Sequence, residues 1–425
     1  MSTNFSNIMD SNSYAGGSDA DPLIKARSRV LGSAYRLFYD NPVHLVRGQG
    51  TKLYDAQGRE YLDAYNNVAS VGHCHPHVID AVTRQMSTLN THTRYLHENI
   101  VEYSQRLLAS MPDEIDQVMY ACTGSEANDL ALRVAAKYTG ATGVIVTQEA
   151  YHGNTEAVNA ISPSMGAEIV GPHVRTVSPM LEPQEVAAAI ADLQDSGYGL
   201  SALVVDTIFS SDGIHPDPFV LAPAVAAVRA AGGVLIADEV QPGFGRTGAG
   251  MWGFTRHGVV PDLVTMGKPM ANGMPVSAMA ARGTVLARFA EQVPYFNTFG
   301  GNPVSMAAAA AVLDVIEGEG LISNAATVGG DLRTQLTELT AGNPRIGEVR
   351  GVGLYIGMEV LDAAGAPDRA AARWIINAMR ERLVLISVCG ADGNVLKIRP
   401  PLVFSMSDVD RFVAELTEVL ASLHE

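Results

Sequence analysis

From about residue 115 to 315 the chain alternates short apolar runs with longer stretches in which apolar residues return every three or four positions. VMYAC, VIVTQ, ALVVD and VLIAD are the short runs, rich in β-branched residues, and they predict strands. A longer segment separates each from the next, the spacing of an α/β domain on a mainly parallel sheet. VLIAD (Val234–Asp238) is apolar on both faces, as in a strand covered by helices from either side. Asp238 then falls at the carboxyl end of the sheet, where open α/β folds bind their ligands. After VMYAC, Ala127, Leu130, Ala131, Val134 and Tyr138 recur at helical spacing, and Gly140 suits the stop.

Before residue 75 and after about 320 the pattern changes to Gly-rich, hairpin-like stretches, VRGVGLYIGMEV and NVLKIRPPLVF among them, between amphipathic helices. These ends predict one smaller α+β lobe, residues 21–75 plus 320–425, packed on a large domain of residues 76–319. Residues 1–20 are rich in Ser, Asn, Gly and Asp and have little to bury. They are expected to form a disordered tail, or one that orders only against a partner subunit.

With 425 residues, 47% of them hydrophobic, the chain can bury a large core in two or three lobes. Its formal net charge of −16 argues against a general binder of nucleic acids or anionic membranes, since both reward a basic surface. Cations that meet an anionic ligand must therefore be concentrated locally. Cys74, Cys122 and Cys389 are too few and too scattered for a disulfide framework, show no zinc spacing, and fit a reducing cytoplasm. The first residues lack the basic start and apolar core of a signal peptide, and no run reaches the roughly 18 apolar residues of a membrane span.

VMYACTGSEANDLALRVAAKYTG reads as a strand, a Gly-Ser turn and a helix. Backbone N–H groups of Gly124 and Ser125 would point outward from that helix N-terminus, a ready phosphate seat. The same letters also fit an ordinary turn capped by Ser125. LIADEVQPGFGRTG followed by PDLVTMGKPMANGMP is more specific. A carboxylate that ends a buried strand is costly without a cationic partner, and a protonated pyridine nitrogen would supply one to Asp238. Taken singly, Asp238 fits a helix cap and Lys268 a solvated surface lysine. Together with Gly243, Gly245 and Gly248 they read as a pyridoxal 5'-phosphate site, Lys268 forming the Schiff base and Asp238 holding the ring nitrogen. Burial and a neighbouring cation lower a lysine's pKa, so Lys268, once displaced by a substrate amine, can serve as the base.

These motifs resemble the class III aminotransferases, a pyridoxal-phosphate family of fold type I, over roughly residues 35 to 420. The resemblance implies a large domain on a seven-stranded, mainly parallel sheet plus a smaller α+β lobe. It implies that Gly124 and Ser125 form the cofactor-phosphate turn and that Tyr151 in AYHG stacks on the pyridine ring. Val240 would pack the opposite ring face, and Gln241 would lie near the cofactor's phenolic oxygen. Thr298 in YFNTFGGNP matches a threonine that reaches the cofactor phosphate of the neighbouring subunit, which implies a homodimer or larger assembly with shared active sites. His73, His75 and His77 in VGHCHPH alternate as metal ligands can, but GHxHP belongs to the family's usual text and no metal is expected.

Within that family, an arginine three residues before a Pro-Pro pair usually binds the substrate carboxylate, gated by a glutamate in a segment like VEPIQGE. Here Lys397 stands three residues before Pro400, and the gating segment reads VDTIFSSD, with Asp206 and Ser211 in place of the two glutamates. These departures, with NNVASVGHCHP, RYLHENIVEY, VRGVGLYIG and LKIRPPLVFS, resemble the ethanolamine-phosphate phospho-lyase branch. The branch implies elimination of phosphate from a small phosphorylated amine, O-phosphoethanolamine, to give acetaldehyde, ammonia and inorganic phosphate. An ω-amine or amino-acid transaminase is the alternative, and a non-catalytic binding protein would be expected to lack Lys268. Lysine is a compact phosphate binder, whereas arginine's fork suits planar carboxylates. Strand alternation puts Lys397 and Arg399 on one face, toward a substrate phosphate or toward water on an edge strand. Arg29, Tyr35 and Arg36 are further candidates for the phosphate.

Overall fold

The computed structural model describes residues 13–14, 21–32 and 34–423, so the expected tail lies outside the described residues except for Ser13 and Tyr14. In chain order the strands are β1 (Leu45–Gln49), β2 (Lys52–Asp55), β3 (Glu60–Asp63), β4 (Gln117–Ala121), β5 (Gly143–Thr147), β6 (Val174–Val177), β7 (Leu200–Asp206) and β8 (Val234–Asp238). They continue with β9 (Leu263–Met266), β10 (Ser277–Ala281), β11 (Ile346–Val352), β12 (Tyr355–Val360), β13 (Val384–Leu385), β14 (Ser387–Cys389) and β15 (Val395–Ile398).

Seven of them, in the order β4-β10-β9-β8-β7-β5-β6, form the central sheet. Pairings from β9 through β6 are all parallel, and β10 runs antiparallel to both its neighbours. Every residue of β5, β8, β9 and β10 is buried, because helices cover the sheet on both sides. The four strands expected from VMYAC, VIVTQ, ALVVD and VLIAD are β4, β5, β7 and β8. In the parallel register Asp206 pairs with Asp238, so two carboxylates end adjacent strands at one sheet edge.

The helix Gly124–Thr139 buries Ala127, Leu130, Ala131 and Val134 as its spacing requires and stops at Gly140, whose φ of 73° is left-handed. Two details differ from expectation. Its N-cap is Thr123, whose hydroxyl accepts from Glu126 N, not Ser125, and Tyr138 is 38% exposed.

The chain ends build two further sheets, β1-β2-β3-β13 and β11-β12-β15-β14. Short β13 pairs in parallel with β3, tying residues near 384 to residues near 62. β15 lies inside its sheet, between β12 and β14, not at an edge. Lys397 and Arg399 are each only 5% exposed, which removes the reading that both face water. Among the described residues, no helix is long and apolar enough to cross a membrane.

Candidate active site

One pocket of about 240 Å³ opens at the carboxyl edge of the central sheet. Gly124, Ser125, Tyr151, Asp238, Val240, Gln241 and Lys268 all line it, together with His152, Asp206 and Cys122. Its floor is tight where backbone must approach a ligand. A Cβ on Gly124 would stand 3.0 Å from Val240 Cγ2, and one on Gly153 would collide with Ser125 Oγ at 2.4 Å.

Asp238 is 4% exposed. Its Oδ2 accepts from Asn128 Nδ2 at 2.9 Å and faces His152 Nδ1 at 2.7 Å, while Oδ1 accepts from Val240 N at 3.0 Å. Thr265 Oγ1 in turn donates to Asn128 Oδ1 at 2.6 Å. Asp238 is thus a fixed acceptor held from behind, not a helix cap. Neither Asn128 nor His152 was singled out from sequence. The only signal for His152 was its place beside Tyr151 in AYHG, and Asn128 reads as one polar letter in a helix.

Lys268 is open to the pocket, yet the walls strip it of most bulk water. That desolvation, aided by the positive charges of Arg399 and Lys397, lowers its pKa to about 8 against the opposing pull of Asp238 and Asp206. Burial and the Asp238 charge raise the Tyr151 phenol. Asp206 is raised by burial and by Asp238, with Lys397 pulling the other way.

Behind the pocket wall lies a connected polar layer. Lys397 Nζ donates to Ser210 O at 3.1 Å, and Arg399 Nε donates to Tyr65 O at 3.1 Å. Neither cation forms an ion pair among the described residues. Both stand over the Tyr355 ring, Lys397 Nζ at 5.6 Å and the Arg399 guanidinium carbon at 5.7 Å from its centroid. Arg399 was weighed from the sequence together with Lys397, whereas Ser210 and Tyr355 were missed as site residues because strand β12 and the turn after β7 approach one another only in the folded chain.

Other expected positions lie elsewhere. Thr298 is exposed and does not line the pocket of its own chain. Arg29 and Tyr35 are exposed, and Arg36 lines a separate pocket with Tyr39, Asp63 and Tyr65. The three histidines meet three different carboxylates: His73 faces Asp63 at 2.6 Å, His75 faces Glu319 at 3.1 Å and His77 faces Asp314 at 2.8 Å.

A lysine of lowered pKa, a carboxylate at a strand end and a helix N-terminus around one pocket define a fold type I pyridoxal-phosphate enzyme. Residues 37–420 match the aminotransferase class-III family, and the chain belongs to it. It is 43% identical to a phospholyase from Arthrobacter solved in complex with phosphoethanolamine, with a TM-score of 0.92 over 94% of this chain and 99% of that one. It is 33% identical to the Caenorhabditis elegans ethanolamine-phosphate phospho-lyase homolog 1 over 95% of this chain and 94% of the relative. It is also 39% identical to an alanine–glyoxylate aminotransferase 2-like protein of Drosophila melanogaster, over 94% of this chain and 87% of the relative.

Pyridoxal 5'-phosphate is accordingly the cofactor, and the donor set fits it. Asp238 suits a protonated ring nitrogen, the Lys268 amine suits the aldehyde, and the glycine-lined turn at Gly124 and Ser125 suits the phosphate.

Proposed function

We propose that this enzyme is a phospho-lyase that removes inorganic phosphate from O-phosphoethanolamine, yielding acetaldehyde and ammonia with the uptake of one water. The observation that carries the reading is Lys397, a buried cation beside Lys268 that forms no ion pair among the described residues, with Arg399 adding positive charge behind it. Buried charge of one sign is costly until an ion of the other sign arrives, and a lysine's compact ammonium suits a phosphate dianion. Likeness to the Arthrobacter phospholyase over nearly the whole chain supports the same substrate class.

Bound pyridoxal 5'-phosphate supplies an electron sink for the electrons left when the carbon bearing nitrogen loses its proton. Asp238 holds the ring nitrogen in its protonated state. Lys268, whose lowered pKa of about 8 makes its neutral amine accessible, takes the proton from that carbon. Lys397 draws the phosphate away from the next carbon as its bond to oxygen breaks. Gly124 and Ser125 would hold the cofactor phosphate, and Tyr151 and Val240, which line the same pocket, would pack against its ring. Ser211 replaces a gating glutamate, and Lys397 Nζ donates to the neutral Ser210 carbonyl and forms no ion pair among the described residues.

The assembly belongs to the same proposal. Thr298 is exposed and does not line the pocket of its own chain, and we infer a homodimer or larger in which it reaches the partner's cofactor phosphate. Arg29, Tyr35 and Arg36 are proposed to meet the substrate phosphate within that assembly. Three unpaired cysteines suit a reducing compartment such as the cytoplasm.

The Drosophila relative's name favours a second reading, transamination. One assay separates the two. Holoenzyme given O-phosphoethanolamine and no keto acid should release phosphate and acetaldehyde in equal amounts over many turnovers. A need for keto acid, with one turnover or none in its absence, would establish the transaminase instead.

A further inference from the structure

The wall residue Gln241 sits in a hydrogen-bonded chain whose two ends admit only one direction. Arg399 Nη1 donates to Gln241 Oε1, and the Tyr355 hydroxyl donates to the same oxygen at 3.0 Å. Gln241 Nε2 donates to Ser210 Oγ at 2.7 Å, and Ser210 Oγ donates to Asp206 Oδ2. A guanidinium can only donate and an ionised carboxylate can only accept. Hence the amide oxygen must face Arg399 and the amide nitrogen must face Ser210, and the reversed amide would set N–H against N–H at one end.

The second N–H of that amide has no acceptor among the bonds described, and Gln241 lines the pocket. The family resemblance already sets Gln241 near the cofactor's phenolic oxygen, and we propose that Arg399, Tyr355, Ser210 and Asp206 are positioning residues that fix its amide so that an N–H, not the carbonyl, faces that oxygen. That oxygen is the cofactor's one polar group not already matched to Asp238, Lys268 or the Gly124–Ser125 turn. Asp206 and Ser210, which stand in the segment where the family's glutamates are expected, thereby acquire a role unconnected with carboxylate gating. The inference rests on the cofactor and holds whether the reaction is elimination or transamination.

A donor on the phenolic oxygen stabilises its negative charge and weakens its hold on the adjoining Schiff-base proton. Losing the donor should therefore raise the pH at which the lysine-bound cofactor changes colour. Visible absorbance of the holoenzyme, titrated with pH in the absence of substrate, reads this directly. Arg399→Met should move the midpoint up by about one pH unit, the size of a single hydrogen bond's contribution. Tyr355→Phe and Ser210→Ala keep every charge and should move it the same way by less, and they serve if Arg399→Met does not fold.

Charge alone is separated from orientation by repeating each change in a Gln241→Leu background. If the residues act through the amide, their shifts should largely vanish there, since coupled groups are not additive. Equal shifts with and without Gln241 would show that Arg399 acts only by its charge and would overturn the proposal. So would a midpoint that stays put in Tyr355→Phe and Ser210→Ala together with a rise in KM for O-phosphoethanolamine in Arg399→Met, which would make Arg399 a direct phosphate ligand.

Discussion

At the scale of the residue, Lys268 and Lys397 are both lysines near one pocket, and their surroundings assign them different work. Desolvation and two neighbouring cations bring Lys268 down to about 8, so its neutral form is abundant at a pH where an ordinary lysine, near 10.4, is almost wholly charged. Cofactor capture by the apoenzyme needs that neutral amine. Its rate should climb with pH, be half-maximal near pH 8 and level off roughly a unit above that, followed by stopped-flow absorbance, and Lys268→Ala should retain the cofactor only noncovalently and show no turnover. A rate still climbing at pH 10 would refute the lowered pKa. Lys397 Nζ is buried against the Ser210 carbonyl and the Tyr355 ring. A buried charge-assisted contact contributes about 1.5–3 kcal/mol, so Lys397→Ala should lower kcat/KM for O-phosphoethanolamine roughly 10-fold to 150-fold. Lys397→Arg should restore part of the loss, because charge is kept while geometry changes. Unchanged phosphate release in Lys397→Ala would remove this residue from the phosphate site.

At the scale of the element, strand β8 delivers Asp238 to the pocket and is locked there by the next residue. Glu239 is fully buried and accepts from Thr207 Oγ1 at 2.7 Å, Gly253 N at 2.7 Å and Phe254 N at 2.9 Å. It joins the ends of β7 and β8 to the turn at 253–257, and burial raises its pKa to about 7. Glu239→Gln places an amide N–H against a backbone N–H, an unmet buried donor that costs about 1–3 kcal/mol. The sign of the pH dependence follows from the raised pKa. Between Glu's ordinary value and about 7 the native state holds a proton that the unfolded chain has lost, so wild-type stability falls relative to the variant as pH rises through that window. Denaturant unfolding of the two holoenzymes should show the widest gap near pH 5 and a narrower one near pH 8. A gap that widens with pH would contradict the assignment.

At the scale of the whole molecule, Thr298 stands in an exposed apolar patch. Tyr95, Leu96, Phe296 and Phe299 are all exposed, and His92 joins the two segments by stacking on Tyr95 and meeting Phe296 edge-on. A patch of this kind on a folded chain marks an interface, and a second copy whose cofactor-phosphate turn Thr298 would reach is the partner proposed here. Light scattering at assay concentration should give a dimer or a larger species. Thr298→Ala should weaken cofactor retention, measured by dialysis, without breaking the assembly. A fully active monomer would refute the shared site.

Much of this site was legible in the chain because its chemistry lies in short segments that fold locally. The period of VLIAD and of the helix Gly124–Thr139 determined where Asp238, Gly124 and Ser125 fall, since strand and helix geometry fix which residues end each element. The spacing of Lys268 after the glycine-rich turn served in the same way. The polar layer behind the pocket was not legible. Asn128, His152, Ser210 and Tyr355 come from four separate stretches, and only the packing of β12 and β15 against the turn after β7 brings Ser210 and Tyr355 together with Arg399. Whether Lys397 and Arg399 met water or protein depended on β15 lying between β12 and β14, a matter of strand order that hydrophobic alternation along one strand cannot encode. The sequence by itself determined which residues could do chemistry; tertiary structure decided which of them are desolvated and joined, because burial and hydrogen-bond partners are properties of neighbours distant in the chain.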